Sequence, residues 1–106
     1  MRDKPNLNYI KEISGGDKVF EEKFIGILKK EFPQERQTYE SHILSNDMIA
    51  GAEIVHKLKH KFNILGMENA YHLAVAYEDE LRTKNNKTHS EFVSILEQIT
   101  TFIKTI

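Results

Sequence analysis

Apolar residues recur along this chain at spacings of three and four, the period of a helix with one buried face. Leu7, Ile10 and Ile13 form a short stripe that stops at Gly15 and Gly16. Asp17 stands where an N-cap belongs, and Phe20, Phe24, Ile27 and Leu28 follow in helical register. Pro33 interrupts them. Lacking an amide and crowding the preceding turn, it predicts an end or a kink. The spacing resumes through Arg36, Tyr39, Ile43 and Leu44 and stops at Ser45 and Asn46. Asp47 caps a third predicted helix, Met48 to Leu65, which Gly66 closes as a left-handed residue. A fourth runs from about Glu68 to Arg82 with Ala70, Leu73, Tyr77 and Leu81 in register. The polar run TKNNK is the clearest loop, and Thr88 to Glu91, THSE, has the form of a capping box. Phe92, Ile95, Leu96, Ile99, Phe102, Ile103 and Ile106 then give the strongest amphipathic pattern in the chain.

No strand-like alternation, repeat, low-complexity tract or linker interrupts this reading. Long helices with short connections pack as antiparallel neighbours, so an all-α bundle in a single domain, 1–106, is expected. The apolar stripe of the last helix suits a core. Its polar face is too poor in Lys and Arg for a membrane-surface helix. No apolar run approaches the roughly 18 residues that a membrane span needs, and the N-terminal MRDKPNLNYIKEI has no apolar core of a signal peptide. The expectation is therefore no membrane insertion. The absence of cysteine removes disulfides, thiolate nucleophiles and Cys-ligated zinc, and is compatible with a reducing cytoplasm. With a formal net charge of −1 there is no global field to recruit nucleic acid, so any electropositive patch must be local.

One such patch is AEIVHKLKHKFNILG, Ala52 to Gly66. At about 100° per residue, Gly51, Val55, Leu58, Phe62 and Leu65 share one arc, flanked by Met48 and Ile54. His56 lies opposite, about 140° from the centre of that arc. Ile49, Ala52, Glu53, Lys59, His60 and Asn63 are expected beside it on the outer face. The plain reading is a solvated face with incidental histidines. A second is metal binding, since His56 and His60 at i, i+4 can share an ion. Lys57 stands where a metalloprotease helix has glutamate, Lys59 and Lys61 add like charge, and Glu53 is the only carboxylate nearby in sequence. No metal site is expected. The third reading is nucleophilic: a neutral imidazole attacks an electrophile, and lysines stabilise the anionic group it then carries. Phosphate is the natural anion for lysine. Nucleic acid would want an aromatic stacking platform, which this segment lacks.

His56-Lys57-Leu58-Lys59 followed by Leu65-Gly66 resembles the histidine-containing phosphotransfer (HPt) domain, whose signature reads H-x-L-K-G-x-x-x-x-L-G. GGDKVFEEKF is similar to that family's G-D-x-x-x-x-x-x-F approach to its first long helix. Pro33 sits where the family often has proline, SNDMIAGAEIVHKLKH resembles its D-x-x-x-L-x-x-x-A-H-x-L-K segment, and Tyr77-Glu78 stands for a common Leu-Glu. The resemblance covers roughly Leu7 to Ile106. It implies an antiparallel four-helix bundle with a short additional N-terminal helix. Asp17 to Ser45 would be one long helix bent at Pro33.

The same resemblance implies that His56 accepts the phosphoryl group and that Lys59 stabilises it. The partners implied are a response-regulator receiver domain, a hybrid histidine kinase, or both. Mg2+ would come from the receiver, with no cofactor held by this chain. Transfer back to another receiver's aspartate would make the domain a two-way carrier. The other class of function is a docking module that binds such a partner without accepting phosphate. His60 departs from the usual glycine and Val55 from a frequent alanine. His60 is a third candidate, either hydrogen-bonding the phosphoryl group or restricting which partner fits. Ile49, Ala52, Glu53, Lys57 and Asn63 are the expected docking rim, with Lys57 and Lys61 as solvating or steering charge. A monomer is the default. His42 and His89, near helix ends, read as surface residues and His72 as structural. Tyr39, Tyr71 and Tyr77 read as the edge of the core.

Overall fold

The computed structural model describes residues 3–106; Met1 and Arg2 of the expected domain lie outside them. Five helices follow in order: α1 (Asn8–Ser14), α2 (Lys18–Leu44), α3 (Met48–Ile64), α4 (Glu68–Arg82) and α5 (His89–Ile103). The described residues contain no strand. α3 packs most extensively on α4, α2 packs on α3 and α5, α4 on α5, and α1 on α2. No helix among the described residues is long and apolar enough to cross a membrane.

The helix starts follow local chemistry. The Asp17 carboxylate accepts from the Phe20 amide at 3.2 Å, and that of Asp47 from the Ala50 amide at 3.1 Å. α4 has no cap of its own at Met67. The N-terminal segment supplies one, since the Asp3 carboxylate accepts from the Ala70 amide at 2.8 Å and from Asn69 Nδ2 at 3.1 Å. Gly66 takes φ +75°, and a Cβ there would come within 2.6 Å of Asn6 Nδ2, so both backbone and space require glycine. The capping box expected at Thr88 does not form. The Thr88 hydroxyl donates instead to Glu80 Oε1 on α4 at 2.6 Å.

α2 runs unbroken through Pro33. The proline is exposed, so the carbonyl that loses its donor one turn back lies on the side water can reach. Leu28, Phe32 and Tyr39 on the opposite face are at most 1% exposed. Each buried side chain of this size stabilises by about 1.5–3 kcal/mol, which together exceeds the cost of about 3 kcal/mol for an interior proline. Not all of the apolar stripe is used: Leu44 is 90% exposed.

Phe92 of α5 joins the layers. Its ring lies 4.9 Å from that of Tyr39 on α2, 5.6 Å from Phe62 on α3 and 5.1 Å from Tyr77 on α4, centre to centre. Tyr39 and Tyr77 are fully buried rather than at the core edge. The Tyr39 hydroxyl satisfies its burial by lying 2.7 Å from the Tyr77 hydroxyl and 2.6 Å from His89 Nδ1. Burial, reinforced by the Tyr77 hydroxyl, pushes the Tyr39 pKa far above the ordinary phenol range, so it remains an O–H group. His89 is thus not a bare surface residue: its half-buried ring stacks on Tyr39 and closes this chain. His72 is exposed, with only a loose 3.9 Å approach to Glu68.

Because Phe92 touches all three neighbouring helices, Phe92→Ala should cost about 3–5 kcal/mol of unfolding free energy in urea titration. A loss under about 1 kcal/mol would show that the aromatic cluster does not hold the helices together.

Candidate functional site

α3 presents its two faces as the periodicity requires. Gly51, Ala52, Ile54, Val55, Leu58 and Phe62 are buried, while Glu53, His56, Lys57, His60 and Asn63 are exposed. The His56 side chain is 52% exposed and stands clear of the bundle. Ile49, two turns earlier, is partly exposed.

Two residues of this neighbourhood lie elsewhere than the helical wheel implies. Ala52 is fully buried and cannot belong to a docking rim. α4 covers that flank of α3, and small residues at Ala52, Ala70 and Ala74, all buried, suit close approach of the helices. The same flank carries Lys59, whose side chain is only 12% exposed. Its ammonium turns to α4, 3.1 Å from Glu78 Oε1 and 6.0 Å from the centre of the Tyr71 ring. Lys61 is likewise not free charge. It reaches α2, donating to Glu31 at 3.0 Å and Glu35 at 3.3 Å. Of the three lysines, Lys57 alone is exposed.

The residue that sequence reasoning missed is Glu78. It follows the buried Tyr77 on α4, which aims its carboxylate at α3. His56 Nδ1 lies 3.2 Å from both Oε1 and Oε2, Lys59 donates to Oε1, and Arg82 Nη2 donates to Oε2 at 3.2 Å. Burial by itself would raise the pKa of this carboxyl group. The hydrogen bonds from Lys59, Arg82 and His56 outweigh that and hold it below the ordinary carboxylate range.

An ionised carboxylate only accepts hydrogen bonds, so the proton facing Glu78 sits on Nδ1 of His56. In the neutral ring Nε2 then carries the free lone pair. It has no hydrogen-bond partner among the described residues. A largely buried carboxylate fixing one imidazole nitrogen while the other has no protein partner is an arrangement for nucleophilic attack. An open hollow beside it is lined by Glu53, His56, Lys57, Glu78 and Arg82. One turn on, the His60 ring meets that of His56 edge to face, 5.1 Å between centres.

Glu53 was the only nearby carboxylate visible in the sequence; the fold adds Glu78 from another helix. Even so, no three His, Asp or Glu side chains converge to hold a metal ion among the described residues. No protein-family model, curated protein or solved structure matches this chain.

The depressed Glu78 pKa has a signed consequence for stability. Its contribution is complete above the unfolded carboxylate value, about 4.3, and is lost as pH falls through the lower folded value. In urea unfolding the advantage of wild type over Glu78→Gln should be present at about pH 5 and narrow below about pH 4. An advantage that persists unchanged at about pH 2 would contradict the network.

Proposed function

We propose that this chain is an HPt-like phosphotransfer carrier and that His56 is its phosphoacceptor. One observation carries the reading: His56 is exposed, with Nδ1 held by a carboxylate and Nε2 open. The packing order supports an antiparallel four-helix bundle of α2, α3, α4 and α5, with α1 as the short additional helix. The signature residues around His56 support the same family.

In the proposed reaction the Nε2 lone pair attacks the phosphorus of an aspartyl phosphate on a receiver domain. The P–O bond breaks, its electron pair leaves with the aspartate carboxylate, and an N–P bond forms. The ring gains positive charge while Nδ1–H remains donated to Glu78, whose carboxylate offsets that charge. Positioning and electrostatics dominate such a loose transition state. The receiver supplies Mg2+. Lys59 acts through Glu78, keeping it ionised and aimed, rather than from solvent. Ile49, Glu53, Lys57 and Asn63 form the docking rim around His56. The reverse reaction delivers the group to a second aspartate.

Incubation with a labelled phospho-receiver and Mg2+ should place acid-labile, base-stable phosphate on the wild type and none on His56→Gln. Glu78→Gln should slow labelling about 10- to 100-fold, the worth of one hydrogen bond to a charged group. Binding of the receiver with no label on the wild type would make the bundle a docking module for a receiver or kinase instead.

A further inference from the structure

If His56 accepts phosphate, something must meet the phosphoryl oxygens, and the obvious cations are turned away. Lys59 is 12% exposed and tied to Glu78. Arg82 is on the same carboxylate. Both therefore gather on the Nδ1 side of the imidazole. Nε2 points to the far side of the ring, so a group bonded there is directed away from them. Bringing Lys59 round would strip a largely buried carboxylate of one of its donors, at a cost the open site does not return. Lys61 is held by Glu31 and Glu35 on another flank of α3. Lys57 is the next residue in the chain and projects about 100° round the helix.

His60 is left. It is exposed, and its ring already touches that of His56, edge to face at 5.1 Å. Helical side chains lean back over the turn on their N-terminal side, so a residue four positions on covers the space above the earlier one. An imidazole there carries an N–H in either tautomer, and a second one when charged. It makes no hydrogen bond to another protein group among the described residues, so engaging a ligand forfeits nothing.

We propose that His60 is a second phosphoryl-binding residue, donating to an oxygen of the group carried on His56 Nε2 and prolonging its life there. This rests on His56 being the acceptor. It divides the work of the site: Glu78, with Lys59 and Arg82, holds the ring from the Nδ1 side, and His60 holds the cargo from the other.

The test needs no receiver. Phosphoramidate can load the histidine: Nε2 attacks phosphorus, the P–N bond of the reagent breaks, and ammonia leaves with the electron pair. Loss of label is then hydrolysis, in which water attacks phosphorus, the bond to Nε2 breaks, its electron pair returns to the ring, and inorganic phosphate departs. The lifetime is compared for wild type, His60→Ala and His60→Gln, with His56→Gln as the site control and thermal unfolding measured for each. His60→Ala should lose label about 3- to 10-fold faster, with unchanged unfolding, because one hydrogen bond is removed. His60→Gln, which keeps a donor, should return the lifetime to within about twofold of wild type. Label on His56 with a lifetime indifferent to His60→Ala overturns this inference alone. So does faster loss that glutamine fails to restore. Label on His60, or none on His56 in any variant, overturns it together with the proposed function.

Discussion

Three donors on two helices share one carboxylate, and the candidate site depends on it. Glu78 receives Lys59 and His56 from α3 and Arg82 from its own helix. A carboxylate that is only 12% exposed would resist ionisation if left alone. Surrounded by an ammonium, a guanidinium and an imidazole N–H, it is held in the charged form. The consequence is local and directional: one nitrogen of an exposed ring is committed, and the other is available. Without the carboxylate, His56 would be a mobile surface imidazole with either tautomer open to it.

That arrangement requires α3 and α4 to lie close and in one register. Small side chains at Ala52, Ala70 and Ala74 occupy buried positions on the two helices, and the aromatic junction at Phe92 sets their depth. Lys61 pairs α3 with Glu31 and Glu35 of α2, and Arg36 pairs α2 with Glu97 and Thr100 of α5. These ion pairs lie on flanks of the bundle away from His56, so electropositive side chains that look clustered in sequence are distributed by the fold. The lysines around His56 in sequence go separate ways: Lys59 to Glu78 on α4, Lys61 to Glu31 and Glu35 on α2, and Lys57 to solvent.

Much of the fold was legible because its signals are local. Asp17 and Asp47 read as caps and serve as caps, and Gly66 reads as a left-handed stop and is one. Features that depend on another element were not. Pro33 by itself leaves an end or a kink open; α2 continues through it as one helix, the course the resemblance implied, with Leu28, Phe32 and Tyr39 buried on the opposite face. Thr88 has a capping signature, but a glutamate on α4 takes its hydroxyl. The wheel put His56 outward correctly and misjudged Ala52 and Lys59. It describes one buried arc, whereas α3 is covered from two sides and its apolar boundary is wider toward α4. Glu78 was visible only as part of a Leu-Glu-like pair; its meeting with His56, 22 positions away, belongs to the packing. His89 shows the same limit, since nothing in its own helix announces Tyr39 as its partner.

In the proposed carrier, the choice of attacking nitrogen thus comes from a tautomer that Glu78 fixes. The most direct measurement is the protonation state of the two His56 nitrogens, read by long-range proton–nitrogen NMR of the imidazole at neutral pH and assigned with His56→Gln. The expected result is a protonated, pyrrole-type Nδ1 and a bare, pyridine-type Nε2, with that preference lost in Glu78→Gln. A wild-type ring carrying its proton on Nε2, or one indifferent to Glu78→Gln, would contradict it.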